Sequence, residues 1–210
     1  MSKVLVGIPL GSGGVPAATF DALLAACRGY DVQTHTGRTE LNRNWLCQYA
    51  LEQQYDYLVM LDVDHAHPAD IVGRLVGHGK PVVAALAFQR MPPYDAMAYR
   101  KNGKGFEIIT SWTGSLVQIT WVASCAICIE TAALKRLQWP WWFYPINQCY
   151  VDGAPPPSTD AMNAKCPTED IGFCERCRNA GVAVYVDTGM ITPHLTQVWA
   201  DEALYRAVRS

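Results

Sequence analysis

No stretch of this 210-residue chain approaches the roughly 20 consecutive apolar residues that a bilayer-spanning helix requires. A membrane partner is therefore not expected. The opening segment, Met1 to Gly14, carries only a short apolar patch before its glycines, unlike a secretory leader. The expected location is cytoplasmic, or the host cytoplasm if the chain is viral. Charge is also sparse: 17% of residues are charged and the net charge is −2. That balance excludes a general attraction to nucleic acid or to an anionic membrane and leaves room only for a local basic groove. Two phosphate-binding signatures are missing as well. The loop Gly11-Ser12-Gly13-Gly14 follows a strand-like segment but has neither the G-x-G-x-x-G spacing nor the lysine of G-x-x-x-x-G-K-[ST]. It reads equally as a plain turn or as a loop that lets backbone approach a nucleotide. No break in composition demands a second domain.

Cysteine, by contrast, is plentiful, with eight residues and two pairs at x2 spacing, Cys125/Cys128 and Cys174/Cys177. Tetrahedral zinc is one reading of such pairs. The neighbours favour another. Val122 to Ile129 looks like a buried strand, in which residues three apart face opposite sides. Cys174 and Cys177 fit one inner face of a helix, where a reduced cysteine behaves as a small hydrophobe. Without an export signal, disulfides are not expected.

The most informative stretch is Tyr57-Leu58-Val59-Met60-Leu61-Asp62-Val63-Asp64-His65. An unbroken apolar run of this length predicts a strand buried on both faces, as in a parallel sheet. The two aspartates fall at its carboxyl edge, where open α/β sheets bind ligands. Two residues apart in an extended chain, Asp62 and Asp64 point the same way. Converging carboxylates repel unless a cation lies between them, and oxygen ligands suit Mg²⁺ or Mn²⁺, which also bind nucleotide phosphates.

Around this strand the pattern alternates. Lys3 to Pro9 reads as a first strand, Ala17 to Cys27 as a helix with Phe20, Leu23, Leu24 and Cys27 at helical spacing, and Tyr30 to Thr36 as a second strand. Glu40 to Leu51 reads as a helix with Arg43 and Asn44 in its first turn. A short helix through Val76 and a strand from Pro81 to Phe88 follow. Such alternation predicts an α/β fold with a mainly parallel sheet flanked by helices. Beyond Met91 the texture changes to a β-hairpin turning at Lys101 to Gly105, a strand-like run from Leu116 to Ile129, and a short helix from Thr131 to Leu137. The aromatic cluster Trp139-Pro140-Trp141-Trp142-Phe143-Tyr144 reads either as core or as the wall of a sugar pocket. A long loop between Asn147 and Cys166, centred on Pro155 to Pro157, has the length of a functional lid. Thr168, as a cap, opens a further helix ending at Gly181. Val182 to Asp187 reads as a strand, and a last helix runs from about Ala200 to Val208.

Taken in order, Asp62-Val63-Asp64, the Cys125-to-Leu137 unit with Pro140-Trp141-Trp142-Phe143, Thr168-Glu169-Asp170-Ile171-Gly172-Phe173-Cys174, Val184-Tyr185-Val186-Asp187 and Pro193-His194-Leu195 resemble a family 2-type glycosyltransferase of the GT-A fold. The resemblance spans Lys3 to about Leu195. It implies one GT-A domain over residues 1–210, with a nucleotide-sugar half (1–90), an acceptor-side half (91–210) and a small antiparallel extension. It implies a metal, Mn²⁺ or Mg²⁺, held by Asp62, Asp64 and His194. Donor contacts would come from Pro9, Leu10, Gly11, Arg43, Asn44, Asp62 and Val63. The acceptor or sugar pocket would take in Trp141, Trp142, Glu169 and Asp170, with Asp170 as the general base of an inverting transfer. His65 and His67 have no counterpart in that pattern and are expected to be surface residues. A UDP-linked donor is the commonest expectation from the family.

The chemistry is consistent with these residue types. A divalent ion acts as Lewis acid for a diphosphate leaving group. A carboxylate accepts the proton of the attacking hydroxyl. A first-turn position lowers a carboxylate pKa, so burial or Glu169 must oppose it in Asp170. The acceptor stays open. Small soluble enzymes of this kind occur in viruses, where some glucosylate 5-hydroxymethylpyrimidines in DNA; Arg90, Arg100, Lys101, Lys104 and the proline loop would then be DNA contacts. A sugar-nucleotide nucleotidyltransferase, or a zinc- or carbohydrate-binding module without activity, are readings from other classes.

Overall fold

A computed structural model describes residues 2–102, 105–145, 168–196 and 201–209. The elements run β1 (Val4–Leu10), α1 (Ala17–Cys27), β2 (Asp31–Thr36), α2 (Thr39–Glu52), β3 (Tyr57–Leu61), α3 (Ile71–Gly77), β4 (Val82–Leu86), β5 (Ala98–Asn102) and β6 (Gly105–Ile108). Then come β7 (Leu116–Ile119), β8 (Trp121–Val122), β9 (Ala126–Glu130), α4 (Thr131–Leu134), α5 (Glu169–Asn179), β10 (Val184–Ile191) and α6 (Glu202–Arg209). Lys104, the proline-rich loop and Ala200 lie outside the described residues. Among the described residues no helix is long and apolar enough to cross a membrane.

Seven strands form one mixed sheet in the order β2-β1-β3-β9-β4-β10-β7, and β6-β5-β8 form a small antiparallel one. The run Tyr57–Leu61 pairs in parallel with β1 and antiparallel with β9, so it is interior, and its last four residues are fully buried. Alternate side chains go to opposite faces of the pleat. Leu5, Leu58, Met60, Val82, Ala84 and Ile127 belong to the core under α2 and α5. Val6, Val59, Leu61, Val83, Ala85 and Cys128 belong to the core under α1 and α3. Burial on both faces is why these strands read as continuous apolar runs rather than alternating ones.

This strand order sets up the site. β1, β3, β4 and β10 run in parallel, so their carboxyl ends share one edge of the sheet. β9, antiparallel to both β3 and β4, brings its amino end, with Ser124 and Cys125, to that same edge. The division at residue 90 is therefore not a boundary in the sheet: β9 lies between two strands of the first ninety residues.

Several sequence expectations need correction. The run Leu116–Ile129 is three strands in two sheets, because the chain turns at Thr120 and again at Ala123–Cys125. The strand expected to stop at Asp187 continues to Ile191 with an irregularity that carries it through Thr188-Gly189. Gly189 is needed there, since a Cβ would lie 2.6 Å from the Arg74 guanidinium and 2.9 Å from the Gly114 carbonyl. In α1, Leu23 and Cys27 turn inward while Phe20 and Leu24 are exposed; Thr19 and Ala26 complete the buried stripe. The helix after β9 ends at Leu134, short of Leu137. Thr168 makes no side-chain capping bond.

Candidate functional site

A cleft of about 420 Å³ opens at the carboxyl edge of the sheet. Its walls include Pro9, Gly11, Asp62, Val63 and Asp64, and also Gly13, Gly14, Thr39, Asn42, Arg90 and Leu195. The glycine loop thus borders the cleft. Asn42 holds its other side: Nδ2 donates to the carbonyls of Leu10 (2.9 Å) and Gly37 (3.0 Å), and Oδ1 accepts from His35 Nδ1 at 2.8 Å. The His35 ring stacks on Trp45 with centroids 4.5 Å apart.

The segment after β3 is tied by backbone bonds to the segment after β10. Leu195 N donates to Asp64 O at 2.8 Å, Ala66 N donates to Pro193 O at 2.9 Å, and His65 faces His194 across an antiparallel bridge. That ladder carries His194 from 130 residues downstream in the sequence to the second aspartate. Its Nε2 is 3.5 Å from Asp64 Oδ2, and its Nδ1 donates to the Phe88 carbonyl at 3.1 Å. The second bond fixes the tautomer and leaves Nε2 as the free lone pair, a common arrangement for a metal-ligating histidine.

His65 is not a surface residue: it and His67 are buried. His65 Nδ1 donates to Asp64 Oδ1 at 3.0 Å and its ring stacks on His194, centroids 4.1 Å apart. His67 Nε2 donates to the Asp62 carbonyl at 2.7 Å and braces the turn. The sequence reading set His65 aside because the family pattern has no counterpart for it; the strand ends at Leu61, and the turn that follows brings His65 beside Asp64.

Asp64, His65 and His194 each offer a ligand atom within 4.8 Å of the others. Buried His65 Nε2 has no hydrogen-bond partner. This donor set fits a divalent ion. Burial raises the Asp64 pKa, but the contact with His194 and the hydrogen bond from His65 more than offset it and hold the carboxyl well below the usual range. Burial lowers the pKa of His65, and takes His67 to about 4, so both rings are neutral at pH 7. Ionised carboxylate and neutral imidazole are the forms that bind metal.

Asp62 is placed differently. Arg43, 2% exposed, donates from Nη2 to both of its oxygens (3.0 and 2.9 Å) and from Nη1 to the Ser124 carbonyl at 3.4 Å. Its Nε lies 3.6 Å from Glu169 Oε1. Arg43 is therefore a buried counter-ion beneath the cleft, not a donor contact. A guanidinium is seldom buried alone, and here carboxylates from two separate segments surround it. Asn44 also turns away from the cleft: Oδ1 accepts from the backbone N–H of Trp141 (3.0 Å) and Trp142 (3.1 Å), and Nδ2 donates to the Trp142 carbonyl at 2.7 Å. The pair thus anchors the aromatic segment and the acidic edge.

Those tryptophans are core. Trp142 is 1% exposed, stacks on Phe173 (centroids 4.1 Å, planes 6° apart) and donates from Nε1 to Cys47 Sγ at 3.3 Å. Trp141 Nε1 donates to the Leu134 carbonyl at 2.9 Å. Neither forms a stacking wall for a sugar. Trp139, by contrast, is exposed. Cysteine is also core. The six free cysteines among the described residues, including both x2 pairs, are buried.

Asp170 begins α5 beside Glu169. Ser124 Oγ donates to Asp170 Oδ1 in a short hydrogen bond, and Tyr144 donates to Glu169. Burial chiefly, then the Glu169 charge, raise the Asp170 pKa to about 7, against the opposing pull of Arg43 and Ser124. The first-turn position is outweighed. The edge thus holds Asp64, kept ionised, and Asp170, poised near neutrality, linked through Asp62, Arg43 and Ser124.

Arg90 lines the cleft. Its Nη2 pairs closely with Asp64 Oδ2 and lies 2.8 Å from His194 Nε2, while its Nε donates to the same nitrogen at 3.1 Å. Arg100 and Lys101 are exposed on β5.

No protein-family model and no curated protein matches the chain. Solved structures do. A197 from STIV aligns over 92% of this chain and 85% of its own, with a TM-score of 0.60 at 18% identity. GalNAc-T7, solved with UDP, GalNAc and Mn²⁺, aligns over 99% of this chain with a TM-score of 0.52 at 10% identity. TarS 1-349 from S. aureus, solved with UDP, aligns over 92% with a TM-score of 0.50 at 13% identity. The chain spans 60% of that TarS structure and 47% of GalNAc-T7. With its mixed seven-stranded sheet, its antiparallel three-stranded extension and its cleft at the carboxyl edge, the chain has the GT-A fold.

Proposed function

We propose that this protein is a metal-dependent glycosyltransferase that moves a sugar from a nucleotide-sugar, UDP-linked by preference, to an acceptor hydroxyl. The observation that carries the reading is a pair of carboxylates at one edge of the sheet with opposite settings: Asp64, on the cleft wall, has its pKa lowered by its histidine neighbours, and buried Asp170 has its pKa raised to about 7. Groups whose environments push their pKa values apart are typical of divided acid–base roles. The shared fold of TarS and GalNAc-T7, both solved with UDP, supports a uridine donor.

Asp64, His65 and His194 would hold the ion, and two imidazoles in the set favour Mn²⁺ over the oxygen-preferring Mg²⁺. When bound, it supplies Lewis-acid stabilisation of the diphosphate leaving group. Asp62, fixed by Arg43, presents a carboxylate edge to the nucleotide side, and the glycine loop with Pro9 and Leu10 frames the base and ribose. The acceptor oxygen forms its bond to the sugar C1 as the bond from C1 to the diphosphate oxygen breaks, with that electron pair leaving on the diphosphate. Asp170 takes the acceptor proton, and attack opposite the leaving group inverts C1.

The test is incubation with Mn²⁺ and a panel of nucleotide-sugars, reading which product is released and onto which acceptor, with hydroxymethylated DNA among the acceptors. Release of a nucleoside diphosphate is expected; release of pyrophosphate would indicate a nucleotidyltransferase instead. Asp64→Ala should abolish metal-dependent donor binding. Asp170→Asn should leave donor binding intact and lower transfer by about a hundredfold or more. Equal transfer by Asp170→Asn and the parent would remove Asp170 as the base.

A further inference from the structure

Among the described residues lining the cleft, Arg90 is the one that carries a positive charge. It could have faced solvent or the glycine loop. Instead its guanidinium binds Asp64 Oδ2 and His194 Nε2, an oxygen and a nitrogen of the same three-residue donor set that fits a divalent ion. His194 Nδ1 is committed to the Phe88 carbonyl, so Nε2 is its single available lone pair. One lone pair cannot serve a guanidinium and a metal together. Arg90 and the ion therefore exclude one another at these atoms, by orbital occupancy as well as by charge repulsion.

The two cations are not equally committed. The Arg90 side chain is 51% exposed and Asp64 31% exposed, so this pairing is screened by solvent and exchanges at small cost. Arg90 follows β4 by four residues, on a loop pinned by the Gln89 N–H to the Asp95 carbonyl (2.9 Å) and by the Phe88–Ala96 bridge. The backbone is thus held at the cleft while the side chain is free to swing. The other cation nearby, Arg43, is buried and held by Asp62 and the Ser124 carbonyl beneath the floor, and has no such freedom. A donor diphosphate entering the cleft would find no other guanidinium or ammonium on its described walls, and a planar fork of donors suits phosphate oxygens.

We propose that Arg90 is an exchangeable counter-cation: it competes with the divalent ion for Asp64 and His194, and once displaced it pairs with the diphosphate of the donor. The proposal rests on the metal-dependent reading above and deepens it, because it makes metal and nucleotide bind with positive coupling. Metal entry frees the arginine that the diphosphate needs, and a diphosphate that engages the arginine clears the metal ligands. By linkage the two effects are reciprocal.

The experiment compares the parent with Arg90→Gln and Arg90→Lys by titration calorimetry, with Mn²⁺ alone and then with UDP at saturating Mn²⁺; thermal melts confirm folding of each variant. Because Arg90 is half exposed on a loop, neither change should prevent folding. Arg90→Gln should bind Mn²⁺ alone more tightly, by about fivefold or more. It should bind UDP in the presence of Mn²⁺ more weakly, by roughly tenfold or more. Arg90→Lys, which keeps the charge but loses the fork, should fall between the two. Opposite signs on the two ligands are the signature, since simple damage to the site would weaken both. Mn²⁺ binding that is unchanged or weaker in Arg90→Gln overturns the competition. Tighter Mn²⁺ with unchanged UDP overturns the diphosphate role. Failure of parent and both variants to bind Mn²⁺ would overturn the metal site itself, and the proposed function with it.

Discussion

At the residue scale, the acidic edge depends on Arg43. Arg43 is the fifth residue of α2, and burial of its positive charge would be costly without partners. Asp62 from the end of β3, the Ser124 carbonyl before β9 and Glu169 at the start of α5 supply them. Asp170 is tuned by the same group of residues. Its pKa lies near 7 because burial and Glu169 outweigh Arg43 and the Ser124 hydroxyl. The base proposed above works when deprotonated, so transfer should rise with pH through about 7 instead of through the usual carboxylate range near 4. Ser124→Ala removes a hydrogen bond to the charged form, which raises the pKa further. The acid limb of kcat/KM should therefore move to higher pH, by roughly half a unit to one unit. A limb that stayed in place or moved to lower pH would show that the Ser124 hydroxyl does not set the ionisation of the base.

At the element scale, the position of α5 against the aromatic segment decides where Asp170 points. A Cβ on Gly172 would lie 2.0 Å from the Phe143 carbonyl oxygen, closer than any real contact, and that neighbour is backbone. Trp142 stacked on Phe173 and Asn44 gripping Trp141 and Trp142 hold the same contact from the other side. Gly172→Ala should then force α5 outward, costing about 1–3 kcal/mol in chemical denaturation and lowering transfer more than donor binding, because Asp170 moves and Asp64 does not. A variant as stable and as active as the parent would mean the helix shifts without consequence. Nothing in the helical pattern around Gly172 calls for a glycine; the packing of a segment about thirty residues earlier is what makes it obligatory.

At the scale of the whole molecule, β10 joins the last part of the chain to the first, and one buried carboxylate secures it. Asp187 accepts from Arg74 Nε at 2.7 Å and Nη2 at 2.8 Å, from His78 Nε2 at 2.7 Å and from Gly189 N at 2.9 Å. Burial raises its pKa, but the bonds from Arg74, His78 and Gly189 outweigh burial and lower it. A depressed carboxylate contributes stability above its unfolded pKa, near 4, and loses it as pH falls through the folded value. Asp187→Asn should thus cost about 1–3 kcal/mol at pH 7, toward the lower end because Arg74 is more than a third exposed, and the gap to the parent should close at the acid end of the titration. A gap independent of pH would assign the loss to packing instead of charge.

The pattern of residues by itself determined the class of fold and the location of the ligand edge. Long apolar runs alternating with amphipathic segments leave few choices other than a sheet covered on both faces, and the Asp62–Asp64 pair follows one of these buried runs. It also favoured core over zinc for the paired cysteines, since their neighbours follow strand and helix periods. What it left open were identities set by long-range contact. His65 and His67 looked solvent-facing because local spacing carries no record of the ladder that docks residues 193–195 onto residues 64–66. Arg43, Asn44, Trp141 and Trp142 looked like binding residues because a charge or an aromatic cluster has the same local signature in a core as in a pocket. Which of them meets solvent depends on strands and helices separated by a hundred residues, and only the assembled sheet, with β9 reversed between β3 and β4, decides it.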